Sequence, residues 1–124
     1  MDKEKIAYRI AVASSDGIVI NRHFGRASLF RIYDVISNNT IQFVENREVV
    51  PICQGGTHDH DRLRENVEYL LDCKYVLVSR IGQGAATLLE QEGIHPIELQ
   101  GIMEESIQKL FVYEEIQNLL ASNC

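Results

Sequence analysis

A chain of 124 residues is about one ordinary domain and can bury a single core, so residues 1–124 are read as one domain. Twelve basic against 18 acidic residues give a net charge of -6, the wrong sign for a protein built to hold a nucleic-acid backbone. The opening M-D-K-E-K-I-A lacks the apolar core of a signal peptide and no apolar run approaches membrane-spanning length, so a soluble cytoplasmic protein without a membrane partner is expected.

Residues 6–13 alternate Ile6, Tyr8, Ile10 and Val12 against Ala7, Arg9, Ala11 and Ala13, which predicts a strand whose small face lies beneath a helix. S-S-D-G breaks this strand, and a short I-V-I leads into N-R-H-F-G-R-A, a polar loop holding His23 between Arg22 and Arg26. Residues 29–36 and 41–50 are rich in β-branched and aromatic residues, and S-N-N-T between them predicts a hairpin turn in which Asn tolerates positive φ. The first half is therefore three antiparallel strands. Leu63, Val67, Leu70 and Leu71 then recur at helical spacing, with Thr57 or Asp59 placed to cap the start. Y-V-L-V-S at residues 75–79 is a continuous apolar run, the pattern of a central strand covered on both faces. Residues 82–92 present Ala85, Leu88 and Leu89 on one helical face, and Gly93 stands where a C-cap glycine belongs. Residues 94–99 predict a last strand that Pro96 places at an edge. Met103, Ile107, Leu110, Phe111, Ile116, Leu119 and Leu120 mark a long amphipathic helix over residues 103–120.

The order β-β-β-α-β-α-β-α is that of a three-layer α/β/α, ribonuclease-H-like fold with a mixed five-stranded sheet. Ligands of such sheets gather at the carboxyl ends of the parallel strands. The loop holding His23 and the stretch V-P-I-C-Q-G-G-T-H-D-H-D-R at residues 50–62 are expected to approach one another there.

That stretch concentrates the chemistry, with Cys53, His58 and His60 beside Gly55 and Gly56. Thiolate and imidazole are the side chains that transition metals and iron-sulfur clusters prefer, and a Gly pair lets main-chain N–H groups turn toward a guest. Cys53, Cys73 and Cys124 are an odd number without Cys-x-x-Cys, so no disulfide framework is expected. Cys73 reads as a packing residue, Cys124 as a terminal free thiol and His95 as structural. Each candidate also has a plainer reading. His23 reads equally as a solvated loop residue, Cys53 as a small apolar residue ending a strand, and H-D-H-D as a helix first turn whose acids favour the positive macrodipole end. On a helix the two histidines of H-D-H-D diverge by about 200°. R-I-G-Q-G-A at residues 80–85 can present N–H groups to an anion, but tight turning explains its glycines equally well.

From the residues alone, three functions besides handling of a metal or metal cluster by this loop stay open. A mononuclear zinc or iron enzyme could use Cys53, His58, His60 and His23, with Asp59 or Asp61 as base. A nuclease would need converging carboxylates, which the first strand lacks. A regulatory domain binding only another protein is the plainest.

The segments I-A-V-A-S-S-D-G with N-R-H-F-G-R-A, C-Q-G-G with D-H-D-R-L, and L-L-D-C-K-Y-V-L-V-S-R-I-G-Q-G-A resemble, in order, the dinitrogenase iron-molybdenum cofactor biosynthesis family. That domain stands alone in NifX-like carriers and forms the carboxyl-terminal part of NifB proteins, and the likeness runs over roughly four-fifths of the chain. It implies a ribonuclease-H-like fold, a place in nitrogen fixation, and non-catalytic binding, storage or transfer of an iron-sulfur cluster, the iron-molybdenum cofactor or its precursor. Donor and acceptor proteins of cluster assembly are the implied partners. The family's H-F-G histidine falls on His23 and its C-x-G-G cysteine on Cys53, while His58 and His60 are not known family residues and enter as accessory metal ligands. The cysteine triad of the NifB radical enzyme domain is absent, so the resemblance transfers no catalysis. Assembly clusters are anionic, so an acidic chain needs a locally positive site, here expected from Arg22, Arg26, Arg62 and the N–H groups of Gly55 and Gly56.

Overall fold

The computed structural model describes residues 5–51 and 60–122. Within them the chain runs β1 (Ile6–Val12), β2 (Val19–Ile20), a 3-10 turn (Phe24–Arg26), β3 (Leu29–Ile36), β4 (Thr40–Glu48), α1 (His60–Glu68), β5 (Tyr75–Val78), α2 (Gln83–Gln91), β6 (His95–Glu98), β7 (Gly101–Ile102) and α3 (Met103–Ser122). A mixed five-stranded sheet has the order β4-β3-β1-β5-β6. β3 lies antiparallel to β1 and β4, while β5 lies parallel to β1 and β6.

The alternation of β1 separates two cores. Ala11 and Ala13 join Val76 and Val78 on one face, where their small side chains admit Val67 of α1 and Leu89 of α2. Ile10, Val12, Tyr75 and Leu77 face the other way, onto Met103, Ile107, Leu110 and Phe111 of α3. The small face thus underlies two helices. Asn39 supplies the positive φ of the hairpin at 63°, and Gly93 closes α2 at φ 79°. β6 is an edge strand, where the missing N–H of Pro96 interrupts no ladder.

Three features depart from the sequence pattern. α1 ends at Glu68, and a tight turn, with the Leu70 N–H on the Val67 carbonyl at 2.9 Å, turns Leu71 out to 52 % exposure while Leu70 stays buried. The second half of α3 is not amphipathic against the sheet, since Ile116, Leu119 and Leu120 are 48 to 59 % exposed. At 20 residues α3 spans about 30 Å, against about 13 Å for the four-residue β5, so it outruns the surface that could cover it. Finally, β2 and β7 form a separate two-stranded ribbon pairing Val19 with Ile102, too short to leave a periodic trace.

Charged side chains are gathered where the chain enters β5. Asp72 accepts Arg9 at 2.7 Å and Arg47 at 2.6 Å, and Arg9 also holds Asp34 at 2.7 Å. The guanidinium of Arg47, then that of Arg9, keeps the Asp72 carboxyl well below the usual carboxylate range. On the opposite face, buried Glu114 accepts the Tyr75 hydroxyl at 2.6 Å and the Lys74 ammonium at 2.7 Å. Burial and the Glu114 charge push the Tyr8 phenol up to about 12.

Candidate functional site at the carboxyl ends of the parallel strands

Strand order runs outward from β1 to β3 and β4 on one side and to β5 and β6 on the other, so the crevice beyond β1 and β5 is a topological switch point. The N-R-H-F-G-R-A loop is fastened there by its backbone. The Asn21 N–H donates to the Ala13 carbonyl at 3.3 Å, the Ser79 N–H to Arg22 at 3.0 Å, and the Phe24 N–H to Arg80 at 2.9 Å. Residues 22–24 thereby lie beside the exit of β5 and pair His23 with Arg80 in an isolated parallel bridge. Phe24 anchors the loop, 1 % exposed and 5.7 Å from the Phe30 ring centroid. One residue earlier, His23 is exposed and extended at φ -74 and ψ 147. Among the described residues its imidazole has no hydrogen-bond or ion-pair partner, which leaves a ring nitrogen for a metal. A cleft of about 460 Å³ adjoins, lined by Ser79, Arg80, Ile81, Glu98 and Gln100.

Residues 7–112, which contain the whole of this loop and the exit of β5, match the family model described as dinitrogenase iron-molybdenum cofactor. The chain belongs to that family. It is 34% identical over 104 residues to the FeMo cofactor biosynthesis protein NifB of Frankia alni, covering 82% of this chain and 20% of that protein. Protein NifX of Sinorhizobium fredii is 36% identical over 95 residues, covering 73% of this chain and 59% of that one. The chain thus spans about a fifth of the NifB proteins it matches. In fold, it superposes on the crystal structure of PH0822 with a TM-score of 0.57 at 20% identity, over 82% of this chain and 88% of that one.

Of the residues singled out by sequence in this dinitrogenase iron-molybdenum cofactor family member, the structure describes His23, Arg22 and Arg26, all exposed in one loop, and Arg62, half-buried in α1. Cys53, Gly55, Gly56 and His58 lie outside the described residues, and His60 is described only as the first residue of α1. The described chain on the near side of that stretch is held close to the loop. The Val49 N–H donates to the Ser28 carbonyl at 2.9 Å, Asn66 of α1 donates to the Val50 carbonyl at 2.7 Å, and Val49 is buried in the cluster that holds Phe24 and Ala27. Among the described residues no three His, Cys, Asp or Glu side chains gather to hold a metal. Burial, then the Asp72 charge, pushes the Cys73 thiol up to about 12, which favours its protonated form. The His95 ring lies tilted against that of Tyr75, centroids 5.6 Å apart, away from the loop.

Sequence reading passed over Arg80 as a side chain. R-I-G-Q-G-A carried an anion signal through its glycines, but nothing in the residue order shows that Arg80 stands opposite His23.

Proposed function

We propose that this domain binds, stores or transfers an iron-sulfur-type metallocofactor, the iron-molybdenum cofactor or a precursor, as a non-catalytic cytoplasmic component of cluster assembly in nitrogen fixation. The observation that carries this is His23, the family's H-F-G histidine, presented without a partner among the described residues on a hydrogen-bonded backbone at the switch point. Cys53 is the second direct ligand in this reading, His58 and His60 are accessory ones, and Arg22, Arg26, Gly55 and Gly56 supply positive potential toward an anionic cargo. One thiolate and one or two imidazoles suit a cargo that a donor protein delivers and an acceptor removes, whereas a closed four-ligand site would retain it.

The strand order, 3-2-1-4-5 once the ribbon strands are set aside, supports the ribonuclease-H-like assignment. Nuclease chemistry finds no support in the carboxylates near β1. Asp16 caps its own turn through the Ile18 and Val19 N–H groups, and Asp34 is paired with Arg9.

The test is anaerobic purification of wild type, His23→Ala and Cys53→Ala, with iron, molybdenum, zinc and acid-labile sulfide measured per chain before and after exposure to a thiolate-ligated [4Fe–4S] cluster. Iron and sulfide retained by wild type and diminished in both variants is the expected result. A wild type that takes up no cluster, or variants that match it, overturns the proposal.

A further inference from the structure

Resting on the carrier reading, we infer that Arg80 is the anion-recognising residue of the site, holding the charge of the cargo beside the His23 imidazole. Residues opposed in a β-bridge carry their side chains to the same face, and successive residues alternate. The His23–Arg80 bridge therefore starts the two side chains from neighbouring backbone positions on one face, within reach of a common guest.

The state of Arg80 fits this role. Arg9 and Arg47 are spent on carboxylates at 2.6 to 2.7 Å, but among the described residues the exposed Arg80 guanidinium has no hydrogen bond or ion pair. Glu98, the carboxylate lining the same cleft, is engaged with the Ile81 N–H at 2.8 Å instead of with Arg80. The structural work at this position is done by the Arg80 carbonyl, which accepts the Phe24 N–H, so the side chain can be changed without loosening the loop. Next to the paired residue, the Ser79 hydroxyl oxygen is buried without a partner among the described residues, a second polar group left unsatisfied at this end of the sheet. A guanidinium fork offers several donors in one plane to the sulfur or oxygen surface of an anion, while the imidazole supplies the directional bond to a metal.

The experiment is titration of wild type, Arg80→Gln, Arg80→Lys and Lys109→Gln with a dianionic thiolate-ligated [4Fe–4S] cluster, at low and high ionic strength. In parallel, backbone amide resonances are followed during titration with sulfate, which has no metal to ligate. Lys109 is exposed on α3 and controls for net charge. Arg80→Gln is expected to weaken cluster uptake about tenfold at low salt and to flatten its salt dependence. Arg80→Lys recovers part of the loss, and Lys109→Gln stays within about twofold of wild type. Sulfate should shift the amides of residues 22–24 and 79–81 in wild type but not in Arg80→Gln. Equal cluster affinity and salt dependence in wild type and Arg80→Gln overturns the inference while leaving the carrier reading intact. No cluster uptake by wild type, with sulfate shifts that vanish in Arg80→Gln, overturns the carrier reading and leaves the anion site standing. Neither cluster uptake nor sulfate shifts overturns both.

Discussion

The two ends of β5 treat charge in opposite ways. At its entrance, Asp72, Lys74 and Tyr75 are drawn into bonds with Arg9, Arg47 and Glu114, partners 39 to 63 residues away in sequence for Arg9 and Glu114. At its exit, Arg80 stands opposite His23, and neither side chain has a partner among the described residues. Polar groups satisfied within the chain fix the fold, and groups left unsatisfied at a rigid position are available to something outside it. The family's cargo reading and the Arg80 inference both rest on the second end.

The largest effect expected tests what makes the exit rigid. Phe24→Ala removes the buried anchor of the His23 loop and should destabilise the fold by about 3 to 4 kcal/mol, read from urea unfolding. If it is nearly silent, the loop is held by its backbone bonds alone. Next comes the entrance. Glu114→Ala strands the Tyr75 hydroxyl and the Lys74 ammonium, and because Lys74 is 40% exposed the cost is set at about 2 kcal/mol. Tyr75→Phe, which loses a single hydrogen bond, should cost about 1 kcal/mol in the same assay. A null result at both sites would erase the contrast between the two ends.

A smaller effect with a defined pH dependence belongs to Asp72. Its carboxyl is held below its unfolded value, so its contribution is fully present above about pH 4 and fades as pH falls toward the folded value, where the carboxylate is protonated. Asp72 is 44% exposed, and with screening its contribution at neutral pH is about 1 kcal/mol. Asp72→Asn should therefore lower stability at pH 7 and narrow its gap to wild type below about pH 4. A gap that is constant across that range would mean that the pairs with Arg9 and Arg47 do not stabilise the folded chain.

How much of this contrast the sequence disclosed follows from the range of the interactions. Local signals were readable: the alternation of β1, the Asn in its hairpin turn, Gly93 closing α2, Pro96 at an edge, and His23 in a polar loop. Each is set by residues within a turn or two of one another. The entrance network was invisible because it joins Arg9 to Asp72 and Lys74 to Glu114 across 63 and 40 residues. Arg80 was missed for the same reason, since its pairing with His23 exists only once β5 and the loop lie together. The apolar residues late in α3 misled, because periodicity records which residues share a helix face but not whether the sheet extends far enough to cover it.

The smallest effect on stability is the most informative one. His23→Ala removes an exposed side chain without a partner among the described residues, from a position whose backbone is extended and readily adopted by alanine. Stability should change by less than about 0.5 kcal/mol and the melting temperature by about 2 °C or less. Cluster retention in the same preparation should fall severalfold, because among the described residues no three His, Cys, Asp or Glu side chains gather to hold a metal in its place. A histidine that served only to shape the loop would show the reverse, a loss of stability with cargo following in proportion. Measuring melting and iron content on one sample therefore separates presentation of a ligand from maintenance of a fold, which is the distinction that the two ends of β5 draw.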